Sequence, residues 1–231
     1  MSEVERLRGE GRWDEALALV DDPLSRADLL NEQALFAGDA AARAGAAREL
    51  DRAEARLLFE RGRVLHARFL AEREEDPREL ELFEAGLKIA RESSDDLLAA
   101  EGLFWVGIVH QVVRGDSASS LPYFDESNAV AARLNDRKLM SYAIRHLGFA
   151  HDEAGRRDEA WAAFEESVRL RRDEGFLPGV AAGLLTLGEV AAEQGRPEQA
   201  KPLLEEARSL AEQTGTKAFL PRIEAALAEL A

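Results

Sequence analysis

The sequence predicts an all-α fold assembled from stacked helical pairs, and three observations predict it. Ala, Leu, Glu and Arg, all strong helix formers, dominate the composition. No stretch alternates apolar and polar residues with the Val, Ile and Thr content of a strand. A pattern also recurs at an offset of 40 residues: LGFAHDEAGRRDEAWAAFEES (147–167) lies in register over LGEVAAEQGRPEQAKPLLEEA (187–207).

Composition bounds the function classes. The chain has 231 residues, 46% hydrophobic and 32% charged, too apolar for disorder. A formal net charge of −15 argues against general affinity for nucleic acid or an anionic membrane. Cysteine is absent, which rules out disulfides and thiolate chemistry and fits a reducing compartment. The N-terminus, MSEVERLRGE, is charged from its third residue and does not read as a signal peptide. The most apolar run, GLFWVGIV (102–109), falls far short of the roughly 20 residues a spanning helix needs. The expectation is a cytoplasmic protein.

The elements follow in order. A half unit is expected at 2–20. Helical pairs are then expected at 24–37/40–50, 53–74/78–93, 95–113/117–134, 136–154/157–174 and 176–194/197–214. Pro23, Pro77, Pro178, Pro197 and Pro221 sit where helices begin, since the first turn tolerates a missing N–H. Within each first helix a pair three residues apart, Leu103/Val106, Ile144/Leu147 or Leu184/Leu187, precedes Gly107, Gly148 or Gly188 on the same face, where a missing side chain admits a neighbouring helix. Gly155 and Gly195 end their helices. Ala160, Phe164 and Ser167 share one face of the following helix. Segment 216–231 places Ile223, Ala226, Leu227 and Leu230 on one stripe, suited to covering the open end of a stack. HDEAGRRDE (151–159), with its His, acids and arginines, therefore reads as a helix end, a turn and a helix start rather than a reactive cluster.

The unit L-G-x-x-H-x-x-x-G-x-x-x-x-A-x-x-x-F-x-x-S resembles the tetratricopeptide repeat. VGIVHQVVRGDSASSLPYFDES (106–127) fits it with one extra residue in its turn, and Ala67, Phe83 and Gly86 carry it one unit further upstream. The 40-residue period resembles the long-helix variety of bacterial regulators and kinesin light chains. The resemblance implies a right-handed superhelical solenoid with a capping helix. On that reading 1–231 is a single array: degenerate units at 1–52, four repeats at 53–214 and a cap at 216–231.

In the family a stripe on each first helix lines a concave groove. Counted −6, −3, +1 and +4 from each unit's small anchor, the stripe holds Arg61, Val64, Arg68 and Ala71, then Glu101, Phe104, Ile108 and Gln111. Next come Tyr142, Arg145, Phe149 and Asp152, then Ala182, Leu185, Glu189 and Ala192. Large apolar side chains with an Arg are typical anchors of a recognition surface; the alternative is a superhelix that is tight or self-associates there and buries the stripe. The stripe lacks the Lys and Asn with which some family members clamp a C-terminal carboxylate. His110 and His151 occupy equivalent positions, where the family places an aromatic, and read as packed core histidines; His66 and His146 read as structural. No phosphate loop or nucleophile elbow is present. Neither a metal nor a cofactor is expected.

The function expected from this reading is a non-catalytic scaffold that binds a protein or peptide segment in the groove. Glu101, Asp152 and Glu189 suggest a basic, apolar segment. The alternatives are a regulatory domain that homodimerises or binds a small ligand, and an enzyme with a pocket around Arg145, His146 and Asp152.

Overall fold

A computed structural model describes residues 2–230. Among these residues every regular element is helical. The helices are α1 (Glu3–Gly9), α2 (Trp13–Leu17), α3 (Pro23–Ala37), α4 (Ala40–Glu72), α5 (Arg78–Glu92) and α6 (Asp96–Ile108). They continue as α7 (Ser117–Leu134), α8 (Arg137–Glu153), α9 (Arg157–Asp173), α10 (Leu177–Glu193), α11 (Pro197–Thr214) and α12 (Leu220–Glu229). The chain divides into two compact units, Met1–Val106 and Gly107–Ala231, where the sequence reads as one array. Residues 1 and 231, the outer ends of the expected array and cap, lie outside the described residues.

The second unit follows the expected pairing closely. Helix α8 ends at Glu153 and α9 begins at Arg157, so HDEAGRRDE is a turn. Gly155 takes φ +72°, a region that only glycine enters at little cost. Its N–H donates to the Asp152 carbonyl at 2.8 Å and the Arg156 N–H donates to the His151 carbonyl at 2.9 Å, which satisfies carbonyls the helix end leaves open. Asp158 and Glu159 lie in the first turn of α9, where they complement its dipole. Left-handed residues recur about every twenty positions: Arg73, Ser94, Gly115, Asn135, Gly155, Gly175, Gly195 and Gly215. Each reverses the chain between consecutive helices.

Packing within a pair rests on a ring set against a glycine. A Cβ added at Gly148 would lie 2.7 Å from a ring carbon of Phe164, and one added at Gly107 would lie 2.7 Å from Phe124. At the third repeat Leu204 replaces the aromatic against Gly188. Phe124, Phe164 and Leu204 are all buried, each contributing roughly 1.5–3 kcal/mol through removal of apolar surface from water. At the C-terminal end Ile223 is buried, and Ala226, Leu227 and Leu230 pack on the core of α9, α10 and α11. The expected stripe of the capping helix is therefore in place, preceded by a short 3₁₀ turn, Lys217–Phe219.

Three expectations need correction. The extra residue of the 106–127 unit lies in the helix, not the turn. Eight residues separate Gly107 from Gly115, against seven from Gly148 to Gly155, and the chain absorbs the surplus as a π-helical turn, Val109–Val113, continuing α6. Helices expected at 40–50 and 53–74 are one 33-residue helix, α4, because nothing at 51–52 breaks it. The half unit at 2–20 is two short helices, parted by Gly11 at φ +71°.

The anchor of the 53–94 unit also differs. Gly62, not Ala67, receives the ring of Phe83: a Cβ there would lie 2.5 Å from it. Ala67 is exposed. Phe59 sits reciprocally against Gly86. The stripe counted from Ala67 is consequently rotated away from the packed face of α4.

Candidate recognition face of the second unit

Helix α8 presents Tyr142, Arg145 and Phe149 at spacings of three and four, which places them on one face. The Arg145 guanidinium lies 5.1 Å from the centre of the Phe149 ring, and its Nη1 donates to the Ala182 carbonyl of α10 at 2.9 Å. Phe149 in turn meets Phe164 edge-on, with ring centres 5.0 Å apart. Tyr142 has Phe176, from the turn before α10, at 6.0 Å and the Arg171 guanidinium over its ring at 5.1 Å. Arg171 is buried; its Nη1 donates to the Gly179 carbonyl at 2.9 Å.

Two guanidinium groups thus occupy a poorly solvated place without a carboxylate bonded to either. Burial is the main cause that pushes Arg145 down to about 9, reinforced by the positive charges of Arg171 and Arg222 and opposed by Glu189. Burial likewise lowers Arg171 to about 10. Both remain cations at neutral pH, since each still titrates well above it. Glu189, the acid that opposes this lowering, is taken by Arg222 of α12 in a bidentate pair at 2.5 and 2.6 Å.

The structure sorts the other expected groove residues. Tyr142, Arg145, Phe149, Asp152 and Glu189 are partly exposed on the second unit. Leu185 is 2% exposed and Ile108 3%; each is packed within the chain and offers nothing to a partner. Gln111 is spent internally: its Nε2 donates to the His146 carbonyl at 3.0 Å and its Oε1 lies 2.6 Å from His146 Nδ1. With the Gln111 oxygen as acceptor, Nδ1 carries the proton. The π-helical turn sets Gln111 in that position. In the first unit Phe104 is 5% exposed, and Glu101 is partly buried beside Trp105. Arg61 and Arg68 are exposed on α4, on the face turned from Phe83 by the shift of anchor to Gly62.

The histidines are each engaged, though His110 and His151 lie half-buried rather than in the core. His110 stacks on Tyr123 with rings 10° from parallel, His151 Nδ1 accepts from Arg156 Nε at 3.0 Å, and His146 stacks on Phe124. His66 bonds the buried carboxylate of Glu79 at 2.9 Å. Among the described residues no three His, Asp or Glu side chains converge as a metal site. A cleft of about 480 Å³ opens in the first unit, but its charges are largely matched to each other, as in Arg26–Glu49 and Arg52–Asp95. By composition Asp96–Val113 is apolar enough to cross a membrane, yet 56% of it is buried within the chain as core.

Sequence comparison fits this geometry. The tetratricopeptide repeat family model matches residues 142–213. Over that span the chain is similar to tetratricopeptide repeats. The matched span holds α8, α9, α10 and α11 apart from a few terminal residues, so Tyr142, Arg145 and Phe149 lie within the segment that resembles that family. Among solved structures, BtubC (BKLC) from P. vanneervenii superposes with a TM-score of 0.57, covering 93% of each chain at 16% identity. The nearly identical TPR-like repeats of a Podosopora anserina chain assigned to kinesin light chain give 0.52, covering 75% of this chain and 95% of that one, also at 16% identity. At these identities the likeness is one of fold. No curated protein matches the chain.

Missing from the sequence reading were Arg171, Phe176 and Arg222. None lies on the stripe of a first helix. Arg171 ends a second helix, Phe176 sits in a turn and Arg222 belongs to the cap, so a rule built on first helices passes over all three.

Proposed function

We propose that this chain is a non-catalytic scaffold and that a partner protein segment docks on the α8–α10 face of its second unit. Tyr142, Arg145 and Phe149 supply the contacts. One observation carries this reading. Arg145 is held over an aromatic ring in a poorly solvated place, hydrogen-bonded to a main-chain carbonyl and to no acid, in a chain with a large excess of acids. An uncompensated cation costs stability, and a protein-binding fold has a use for one. Tetratricopeptide repeats generally mediate protein–protein contacts, which supports the same reading.

The charge of the partner follows from the same geometry, and it is opposite to the sequence expectation. Of the three acids that favoured a basic segment, Glu189 is paired with Arg222 and Glu101 lies in the first unit, which leaves Asp152 at the end of the α8 stripe. Arg145 is the cation left to receive a charge. The segment that fits carries a carboxylate beside an apolar side chain, the carboxylate on Arg145 and the apolar group against Tyr142 and Phe149. Selection of random peptides on the immobilised protein tests this. Enrichment of acidic-apolar sequences that fail to bind an Arg145→Ala protein is expected. Enrichment of basic sequences, or of peptides indifferent to Arg145, overturns it.

A further inference from the structure

The first unit carries a different surface on α4. Leu50, Leu57 and Val64 are 47%, 53% and 68% exposed and recur every seven residues along one uninterrupted helix. Seven residues return an α-helix to within about 20° of the same direction, so the three form a single stripe. It lies roughly 140° around the helix from the buried face of Ala55, Phe59, Gly62 and Phe69, given about 100° per residue, and it begins only after Ala42 and Ala46, which are buried at the start of α4. One exposed leucine needs no explanation; three in heptad register describe a helix seam.

Two charges complete the pattern. Glu54 and Arg61 lie on the same stripe, both exposed. Some other charges of this helix are tied along it, as Glu60 is to Arg63 and Arg68 to Glu72, while Arg43, before the stripe, and Arg48, Asp51 and Arg56, off it, have no ion pair among the described residues. Glu54 and Arg61 have no ion pair among the described residues. Their signs reverse around Leu57: the acid lies three residues before it, the base four after.

We infer that α4 is a self-association surface, pairing antiparallel with α4 of a second copy of this chain across a two-fold axis beside Leu57. A two-fold contact must be complementary to itself. In this arrangement Leu57 meets Leu57, Leu50 meets Val64, and Glu54 of each copy meets Arg61 of the other. A parallel arrangement sets Glu54 on Glu54 and Arg61 on Arg61, so the charges select the antiparallel one. A foreign helix of uniform sign would satisfy only one of the two. The seam from Leu50 to Val64 is about 21 Å long at 1.5 Å per residue. This surface is independent of the recognition face in the second unit.

Sedimentation equilibrium on the full chain, from micromolar to hundreds of micromolar, tests the inference. A concentration-dependent dimer is expected. Leu57→Asp, at a position already exposed, is expected to weaken it at least about tenfold with helix content unchanged. Glu54→Arg is expected to weaken it too, and Glu54→Arg combined with Arg61→Glu to restore it. Because the chain has no cysteine, Leu57→Cys is expected to form a disulfide-linked dimer on mild oxidation. A chain that stays monomeric and uncrosslinked overturns the inference. So does a dimer insensitive to Leu57→Asp or to the charge reversal.

Discussion

The ring of Phe164 lies against Gly148 so closely that a single added methyl carbon would stand 2.7 Å from it. Both partners belong to packed helices, so neither can yield without moving a helix. Gly148→Ala is expected to cost about 1–3 kcal/mol, as overpacking of a filled core does. Urea unfolding of the variant against the wild type measures it; an unchanged midpoint would show that the contact is slack.

Gly148 also explains how far the fold could be read beforehand. In 95–214 the glycine under each ring, the left-handed residue of each turn and the ring itself keep nearly fixed spacing, so one repeat predicts the next. Upstream the landmarks change chemistry. Gly62 rather than Ala67 takes Phe83, and Arg73 and Ser94 make the left-handed turns that, Asn135 apart, glycines make later. Nothing local marks where α4 should end, so its 33 residues read as two helices. The shared, partly exposed face of Tyr142, Arg145 and Phe149 was legible because their repeat keeps regular register. Phe104, Ile108 and Leu185 were not, because periodicity finds a face without telling whether the chain's own elements cover it. Gln111 depends on a π-helical turn that spacing shows only as one residue too many.

His66 and Glu79 form a buried pair at 2.9 Å, with Glu79 1% exposed. Removing the imidazole strands a carboxylate in the core, which typically costs 3–5 kcal/mol, whereas removing both polar groups costs far less. His66→Phe is therefore expected to be strongly destabilising, and adding Glu79→Leu to recover most of the loss. Denaturant unfolding of the two variants checks this; equal stability of the single and double variants would contradict it.

Burial raises the Glu101 carboxyl above its ordinary range, against the lowering effects of Arg63 and of the Trp105 hydrogen bond. A carboxyl that binds its proton more readily folded than unfolded takes stability away while charged, and the loss fades as pH falls through the folded-state value. Glu101→Gln is expected to be more stable than the wild type at pH 7, with the gap narrowing toward pH 4. Melting curves at several pH values would show it, and a variant no more stable at pH 7 would refute it.

His110 and His151 are engaged with Tyr123 and Arg156. Exhaustive chelation of divalent metals is expected to leave the melting temperature unchanged. A stoichiometric metal in the purified protein, lost together with a drop in melting temperature, would be the contrary result.

The central claim is that Arg145 is kept for a partner rather than for the fold. Arg145→Met preserves the length of the side chain and removes the desolvated charge, and the Ala182 carbonyl still accepts from Thr186 Oγ1 at 3.2 Å. Replacing a buried charge with an apolar side chain of similar size is often neutral or stabilising. The decisive measurement is calorimetric titration of a selected acidic-apolar peptide into wild type and Arg145→Met, with melting of both proteins. The account predicts an equal or higher melting temperature for the variant and an affinity at least about tenfold weaker, a loss of about 1.4 kcal/mol. Undiminished affinity in a folded variant would contradict it.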